Sequence, residues 1–575
     1  MTVTAEIAGW QRVALAIAAG LALADSSIVT LGLPSILVEL DATVEGVALV
    51  LGVYTAVLAI AVLPAAALAR RIGNERLGAA GIGLFVAASL ACGLSDSLGP
   101  LLVLRGVQAI GGAAALVAVF GLLDGGSPGG GRRLWVAASV FGVAVGPALG
   151  GALTQLFDWR AIFLAQVPLA TPGGLVALRA ALRNAQPPVD DAQPPAGGPP
   201  EVPEAPSPRP ALRPAIALGL LSAALTAVIF LVVLLLVSGW SIEPLTAALA
   251  VSVLPIAALA ASRIRGEPET RAVAGCLLVA GGVGCLALLP SASAWWTVVP
   301  QILAGAGMGM ALPALAGELL PEHSRTEAAR LLSIRHAGIA LALAALAPLI
   351  SASLDSTIAD AREQGTAALL DARLPPENKI ELAPQIFAGV NTDDPRGQLE
   401  RDLEDARNGL GEDDADELDS LGERLDDVVT GAVRAAFRAT FIVTAALALA
   451  AALVLLWGAL APARGVRRIA IAAASGAAIA ATAAYGVAFA NSERETVKIE
   501  DPCTADRDLP DTGGIGGFLQ DRSLEALDRA ACEFGSSREE LLLALFDDER
   551  QKEIEDKYGE DPRSPTDLGP ALLGL

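Results

Sequence analysis

The stretch GVAVGPALGG (142–151) places four glycines and one proline inside an apolar run at 134–156. Glycines three or four residues apart let helix backbones approach closely within a membrane. Proline removes one helix hydrogen bond and allows the helix to bend. The stretch therefore predicts a tightly packed, bendable membrane helix. The residues of this packing motif are Gly142, Gly146, Pro147, Gly150 and Gly151.

Twelve further apolar runs surround this one. A bilayer core of about 30 Å needs roughly 20 apolar residues per helix, and each run is close to that length. The composition agrees, with 53% hydrophobic and only 4% aromatic residues, so the sequence predicts an all-α membrane protein. The further runs lie near 10–33, 46–69, 77–95, 99–123, 161–182, 214–238, 243–263, 271–290, 295–317, 328–352, 433–460 and 467–490.

Basic residues indicate the orientation, because Lys and Arg are retained on the cytoplasmic side of short loops. Alternate loops are basic, whereas the intervening short loops contain only Arg160. We therefore expect a cytoplasmic N-terminus, and an odd number of spans then places the C-terminus outside. The basic loops carry Arg70, Arg71, Arg76, Arg132, Arg133, Arg179, Arg183, Arg263, Arg265, Arg271, Arg325, Arg330, Arg464, Arg467 and Arg468.

Charge and proline content divide the chain into segments. The two acidic segments hold 43 of the 62 acidic residues, so they are expected to be water-exposed, and both fall on the extracytoplasmic side. A Pro-rich linker joins the two halves on the cytoplasmic side. The predicted segments are the first six-helix bundle 1–184, linker 185–213, helices seven to eleven 214–352, acidic insert 353–432, helix twelve 433–461, extra helix thirteen 462–490 and acidic tail 491–575.

Several motifs resemble the major facilitator superfamily, specifically its multidrug/proton antiporter branch, which usually has fourteen helices. The most specific is GVAVGPALGG (142–151), which matches the branch's antiporter motif. RGVQAIGGA (105–113) resembles the Arg-x-x-Gln-x-x-Gly motif of the fourth helix, with Ala109 at a glycine position. The other similar stretches are ADSSIVTLGLPSI (24–36), DWRAIFLAQVP (158–168), GAGMGMALPAL (305–315) and RLLSIRHAGIALALA (330–344).

The resemblance implies a major facilitator fold of two six-helix bundles, here with one extra C-terminal transmembrane helix and two extracytoplasmic appendages. It implies a multi-pass protein of the bacterial plasma (inner) membrane that is not an enzyme. It implies proton-coupled export of hydrophobic or amphipathic small molecules by alternating access. The expected partners are such a substrate or a lipid-like one, protons and membrane lipids.

The chain departs from the family in the loop between the second and third helices. AALARRIGN (66–74) has Arg70 where the family has a gating Asp, followed by Arg71. Arg335, in the eleventh helix, stands at the position of an Arg in the family. Arg70, Arg71 and Arg335 are therefore the candidates for an inner gate. The branch's extra central helix pair is replaced by the Pro-rich linker.

Two charged residues fall at matching depth in the membrane. Asp25 lies about 13 residues, or about 20 Å, from the cytoplasmic start of its helix, and Arg105 lies about 9 Å below the outer face. Charges at membrane depth are costly and tend to be functional. We expect Asp25 to carry the coupling proton. Arg105 is expected to keep the Asp25 carboxylate ionised until substrate binding or a helix shift separates the two residues. A fixed structural pair is the alternative.

The acidic segments offer two further predictions. Apolar spacing at 399–410 and 417–429 predicts two amphipathic helices, which either cap the outer vestibule or act as a solvated spacer. In the tail we expect helices near 521–533 and 537–558. Because the extracytoplasmic compartment is oxidising, Cys503 and Cys532 are candidates for a disulfide.

Other chemistry finds little support in the sequence. None of the four lysines follows a glycine, which excludes a Walker A loop, and two histidines leave almost no material for a metal site. We expect no cofactor, no metal, no nucleic-acid partner and a monomer. Two other functions stay open, a lipid or glycolipid exporter and a non-transporting membrane sensor or scaffold. The outer cap favours the first, and the missing gating Asp favours the second.

Overall fold

The structure is a computed structural model, in which every regular element of the described residues is helical. Twelve helices in this part of the chain are long and apolar enough to cross a membrane. They correspond to twelve of the thirteen predicted spans; the remaining one, 134–156, is described only from residue 146 and is helical over 146–156. The described residues are 9–124, 146–184, 212–318, 325–375, 379, 395–407, 412–457, 465–492, 497, 499–504, 514–546, 548–559 and 561–564.

The first bundle begins and turns where the sequence has capping and helix-breaking residues. Pro34 lies in the first turn of a short second helix, and Thr43 caps the third by accepting a hydrogen bond from Gly46 N at 3.1 Å. Gly73, with φ of +88°, ends that helix. The helices are α1 Gly9–Thr30, α2 Leu33–Glu39, α3 Val44–Ile72, α4 Asn74–Cys92, α5 Leu98–Asp124, α6 146–156 and α7 Arg160–Asn184.

The second half of the chain differs from the predicted spans at two places. The predicted span 243–263 is two consecutive helices that meet at Ser252, because Pro255 has no N–H to donate to the carbonyl of Val251. The helices are α8 Leu212–Leu234, α9 Pro244–Val251, α10 Val253–Ala261, α11 Pro268–Leu286, α12 Trp295–Pro313, α13 Arg325–Asp371, α14 Pro395–Arg407, α15 Glu412–Leu456, α16 Gly465–Ala490, α17 Gly514–Phe534, α18 Arg538–Phe546 and α19 Asp548–Tyr558.

The second difference concerns length. The eleventh and twelfth spans continue beyond the predicted limits as single helices, α13 and α15. The sequence boundaries at 352 and 433 therefore fall inside continuous helices. The amphipathic stretch predicted at 417–429 is the first part of α15, and the one at 399–410 overlaps α14.

The chain divides into two compact units. The first, which we call the membrane unit, comprises Met1–Val237, Ile242–Ser351 and Arg438–Ala490. It contains the extra thirteenth helix, α16, which packs on α11 where Gly281 meets Ala478. The extra helix is thus an integrated part of this unit.

The second unit, which we call the acidic unit, comprises Ser238–Ser241, Ala352–Phe437 and Asn491–Leu575. The insert and the tail, which the sequence presents as separate appendages, thus form one compact unit. Two clusters of buried apolar side chains lie in it. One contains Leu374, Leu399, Leu418, Leu421 and Leu425, and the other contains Leu527, Ala530, Phe534, Leu541 and Ile554.

Candidate functional site

The structure brings together the two membrane charges that the sequence singled out. Arg105 Nη1 on α5 lies 2.6 Å from Asp25 Oδ2 on α1, and both side chains are 0% exposed. Oδ2 accepts no hydrogen bond among the described residues, so this contact is an ion pair without hydrogen-bond alignment. The Nη1 hydrogen bond goes instead to Gln108 Oε1, at 2.6 Å. The attraction between the two charges is therefore chiefly electrostatic.

Two buried glutamines complete the surroundings of Asp25. Gln166 Nε2 on α7 donates to Asp25 Oδ1 at 3.0 Å, and Gln108 Nε2 on α5 lies 3.3 Å from the same oxygen. Gln108 Nε2 also donates to Ser89 Oγ on α4 at 2.8 Å and to Gln166 Oε1 at 3.0 Å. Side chains of four helices thus form one polar network, which we call the Asp25 network.

Aromatic rings enclose the guanidinium of Arg105. Its Cζ lies 4.4 Å from the ring centroid of Tyr54 and 5.5 Å from that of Phe163. Tyr54 is fixed from α3 by a 2.6 Å hydrogen bond to the carbonyl of Ala22. Arg105 Nε donates to the carbonyl of Val50 at 3.0 Å. Cation–π contacts and one backbone acceptor therefore hold the arginine when the carboxylate changes its charge.

Close helix packing explains why these side chains meet. A Cβ on Gly111 of α5 would lie 2.5 Å from the backbone nitrogen of Phe85 on α4, so only glycine fits there. One helical turn away, three residues before Gly111 on α5 and four after Phe85 on α4, this approach brings Gln108 to Ser89. Asp25 lies near the C-terminal end of α1, five residues before Thr30, and Arg105 lies near the N-terminal end of α5, seven residues after Leu98.

A single proton changes the net charge of the Asp25 network. An ion pair in a low-dielectric interior is held by strong attraction, whereas an unpaired charge there is costly by several kcal/mol. Adding one proton to Asp25 would leave Arg105 as the sole charge of the pair. Protonation therefore changes the net charge of a fully buried site, which is the chemical requirement for coupling proton movement to helix movement.

The sequence argument missed the neutral members of the network. Gln108, Gln166 and Ser89 are buried at 0–1% exposure and make its hydrogen bonds. Polar side chains at the same depth as Asp25 would have been the signal, because an amide inside a membrane needs partners just as a charge does. Gln166 lies six residues after the start of α7 at Arg160, and Arg105 lies seven residues after the start of α5 at Leu98. The two residues are therefore at a similar distance from the starts of their helices.

The fifth-helix motif lies at contacts between helices. Gly146 packs against Ser27 and Gly150 against the carbonyl of Ile28, both on α1. Gly151 packs against Ala248 and the carbonyl of Pro244 on α9, where a larger residue would overlap them. Pro147 is buried in the same helix, and Gly142 lies outside the described residues. The motif thus contacts a helix from each bundle.

Within the described residues, hydrogen bonds join the two bundles at places that include the following two. Gln155 Oε1 at the end of α6 accepts from Leu245 N at 2.7 Å, and its Nε2 lies 3.3 Å from Glu243 Oε2. Elsewhere, Ser333 Oγ on α13 donates to the carbonyl of Ala59 on α3 at 2.7 Å. The first contact lies next to the end of α6, whereas the second lies near the middle of α3.

The candidate gate arginines occupy different surroundings. Arg70 and Arg71 are exposed in the last turn of α3. Arg335 is partly buried on α13, and its Nε finds no hydrogen-bond partner among the described residues. The hydrogen bond between bundles in this region comes from Ser333, two residues before Arg335. A gating role for the three arginines stays a prediction.

The acidic unit contains the disulfide. Cys503 and Cys532 are joined, with their Cα atoms 5.0 Å apart, and the bond connects the turn around residue 503 to α17. A second cross-connection is the buried Arg538, whose Nη2 lies 2.8 Å from Asp371 Oδ1 at the end of α13. The disulfide thus closes a loop within the tail, and the contact of Arg538 with Asp371 joins the tail to the insert.

Comparison with known proteins identifies the family. The model of the Major Facilitator Superfamily matches residues 15–345, more than half of the chain. The chain belongs to this superfamily, and it is a multi-pass membrane protein. The fold agrees with a bacterial homologue of the human lysosomal transporter Spinster in an inward-facing conformation, with a TM-score of 0.52 and 18% identity over 79% of this chain and 98% of that one.

Curated relatives carry drug-export names. The chain is 33% identical over 150 residues to the multidrug resistance protein Stp of Mycobacterium tuberculosis, which is 25% of this chain and 28% of Stp. It is 33% identical over 174 residues to the tetracenomycin C resistance and export protein of Streptomyces glaucescens, 29% of this chain and 32% of that protein. The chain thus matches about a third or less of these relatives' length.

Proposed function

We propose that this transporter exports hydrophobic or amphipathic small molecules in exchange for protons, and that Asp25 carries the proton. The observation that carries the proposal is the fully buried ion pair of Asp25 and Arg105, one carboxylate against one guanidinium at 2.6 Å. The names of the relatives, which describe multidrug resistance and drug export, support the substrate class. We place the protein in a bacterial plasma membrane with its N-terminus in the cytoplasm.

The coupling follows from the charge of the pair. With Asp25 ionised, the pair is neutral and the polar groups of four helices converge on it. A proton entering from outside neutralises the carboxylate and weakens its hold on Arg105, so that α1 and α5 gain freedom to shift. Release of the proton to the cytoplasm restores the attraction. Each cycle thus converts proton entry into a change of helix positions.

Alternating access assigns a role to the contacts between bundles. In the proposed orientation, the contact of Gln155 with Leu245 closes the extracytoplasmic side, and that of Ser333 with Ala59 lies nearer the cytoplasmic side. A substrate leaves outward only when the first contact opens. Gly151 permits the close approach of α6 to α9 that this closure requires.

The test is exchange in proteoliposomes with ethidium as the amphipathic probe. We expect a proton gradient to drive ethidium transport by the wild type. Asp25→Asn should reduce this gradient-driven transport by at least about 100-fold, because the amide cannot carry the proton. The control is Asp96→Asn, since Asp96 is 93% exposed and pairs only at 3.6 Å with Arg160. Undiminished proton-driven transport by Asp25→Asn would remove Asp25 from the mechanism.

A further inference from the structure

Gln166 differs from the other amide of the Asp25 network in its freedom to turn. Gln108 Oε1 accepts from Arg105 Nη1 at 2.6 Å, and reversing the Gln108 amide would set its NH₂ group against that cation. Gln166 makes no contact of this kind. Its Nε2 donates to Asp25 Oδ1, and its Oε1 accepts from Gln108 Nε2 at 3.0 Å and Ser89 Oγ at 3.3 Å.

A protonated carboxyl group needs an acceptor, which the present arrangement does not offer. The hydrogen-bond contacts of Asp25 Oδ1 are both amide nitrogens, and Oδ2 faces Arg105. A proton on Oδ1 would therefore point at N–H groups. Turning the Gln166 amide by half a revolution about its last bond replaces the nitrogen near Oδ1 with an oxygen, which accepts that proton in a hydrogen bond.

Ser89 allows the turned state to satisfy its hydrogen bonds. Its hydroxyl donates to the carbonyl of Phe85 at 2.7 Å, which leaves two lone pairs. Ser89 Oγ can then accept from Gln108 Nε2, as it does now, and from the Gln166 nitrogen that takes the place of Oε1. Gln108 Nε2 then no longer donates to Gln166. Its second hydrogen can be donated to Asp25 Oδ1 instead, which lies 3.3 Å from Gln108 Nε2. In the turned state the Gln166 nitrogen takes the place of an oxygen that now lies 3.0 Å from Gln108 Nε2, so these two donors face each other and must direct their hydrogens to Ser89 Oγ and Asp25 Oδ1.

We propose that Gln166 is a positioning residue that serves both charge states of Asp25, donating to the carboxylate and, with its amide turned over, accepting from the protonated acid. This inference rests on the proposed function, because it assumes that Asp25 changes its protonation during transport. It adds a neutral residue on α7 to the machinery, one that sets the pH at which Asp25 takes up a proton.

Few ionisable groups face Asp25 from the neighbouring helices within the described residues. They are Arg105 on α5, Tyr54 on α3 and Cys92 on α4. Helix α7 presents the neutral Gln166. Helix α6 has no ionisable residue within 146–156, and α8 has only Arg213, in its first turn.

The test is an infrared titration of the carboxylic acid C=O band in the purified full-length protein, which needs no transport substrate. The band of Asp25 is the one that Asp25→Asn removes. Gln166→Met keeps the length of the side chain but removes both its donor and its acceptor. The carboxylate loses more than the protonated acid does, because a hydrogen bond to a charged group is stronger than one between neutral groups. We therefore expect the midpoint to rise by about one pH unit, a tenfold change. If Gln166→Met does not fold, Gln166→Asn is expected to move the midpoint in the same direction by less.

The matched control is Gln301→Met. Gln301 is a glutamine of α12 that is 1% exposed and whose Nε2 donates to Thr297 Oγ1, a neutral partner. Its substitution should leave the midpoint of Asp25 unchanged. An unchanged midpoint in folded Gln166→Met overturns this inference and leaves the proposed function standing. If the wild type shows no titrating C=O band that Asp25→Asn removes, Asp25 does not change its protonation. That result overturns both this inference and the proposed function.

Discussion

Two arginines among the described residues are completely buried, one in each unit, and they are paired differently. Arg105 in the membrane unit faces one carboxylate, Asp25, which is itself 0% exposed. Arg538 in the acidic unit faces two. Its Nη2 lies 2.8 Å from Asp371, which is 50% exposed, and 3.0 Å from Glu539, which is 0% exposed. The first arrangement is electrically neutral, and the second has an excess of negative charge.

The consequence of adding a proton differs accordingly. At Arg538, loss of one negative charge still leaves a carboxylate beside the guanidinium, so the attraction persists. At Arg105, protonation of Asp25 removes its only counter-ion among the described residues. A one-to-one pair suits a switch, whereas a cation with two anions suits a permanent connection. On the proposed mechanism, the ratio of charges around a buried arginine, and not burial alone, distinguishes a coupling site from a structural connection.

The largest expected effect tests the one-to-one pair. Arg105→Met leaves Asp25 buried without its cation, which costs about 3–5 kcal/mol of stability, and it should reduce proton-driven ethidium export by at least about 100-fold. The double variant Asp25→Asn with Arg105→Met removes both charges. It should recover most of the thermal stability but none of the coupling, as measured by thermal unfolding and by proteoliposome transport.

Arg263→Met is the control for this pair of measurements, because Arg263 is exposed and its Nη1 bonds only to the carbonyl of Leu259 among the described residues. It should leave both stability and transport near wild-type values. Proton-coupled export by the double variant at the wild-type rate would show that the pair is a structural connection, as at Arg538.

A smaller effect is expected from the same substitution in the acidic unit. Arg538→Met leaves Glu539 buried without the cation that now lies 3.0 Å away. Opening of this unit should become easier by about 3 kcal/mol, so amide hydrogen exchange in α17 and α18 should accelerate by at least about 100-fold.

The matched control is Arg522→Met in the same unit. Arg522 is 63% exposed and pairs with Glu525 one helical turn away. Such surface pairs contribute little, so exchange in α17 and α18 should change by less than about threefold. If Arg538→Met behaves like this control, the second arginine is not a structural connection and the comparison fails.

Membrane helices made part of the site predictable. Their rise per residue converts a sequence position into a depth, which places Asp25 and Arg105 at one level in the membrane. Gln108 and Gln166 escaped the same argument because only charged residues were counted. Their importance comes from contacts across 58 and 141 residues, which no local pattern reveals.

The division between membrane and acidic segments was less predictable. Apolar content falls after residue 352, yet α13 continues to Asp371, because the following residues form a helix as readily in water as in lipid. Hydropathy therefore indicates where a span ends but not where a helix ends. The insert and the tail are joined by contacts such as that of Arg538 with Asp371, across 167 residues, which no local pattern in the sequence indicates.

The smallest expected effect concerns a third buried cation, Lys379 of the acidic unit. Burial lowers the pKa of Lys379 to about 8, although the negative charge of Asp371 opposes this. Its Nζ donates to the carbonyl of Leu370 at 2.7 Å. As the pH rises through 8, Lys379 should therefore lose its proton while an ordinary lysine, near 10.4, stays charged. NMR of the reductively methylated protein can follow this titration.

The four lysines of the chain make the spectrum simple to assign. Lys379→Arg removes one signal, which identifies Lys379, and Lys552 serves as the reference because its side chain is exposed in the same acidic unit. Asp371→Asn should lower the midpoint of Lys379 further, since it removes the carboxylate that stabilises the ammonium form. A midpoint for Lys379 equal to that of Lys552 would mean that Asp371 and its neighbours already compensate the burial in full, and that buried cations of the acidic unit hold their protons as firmly as surface ones.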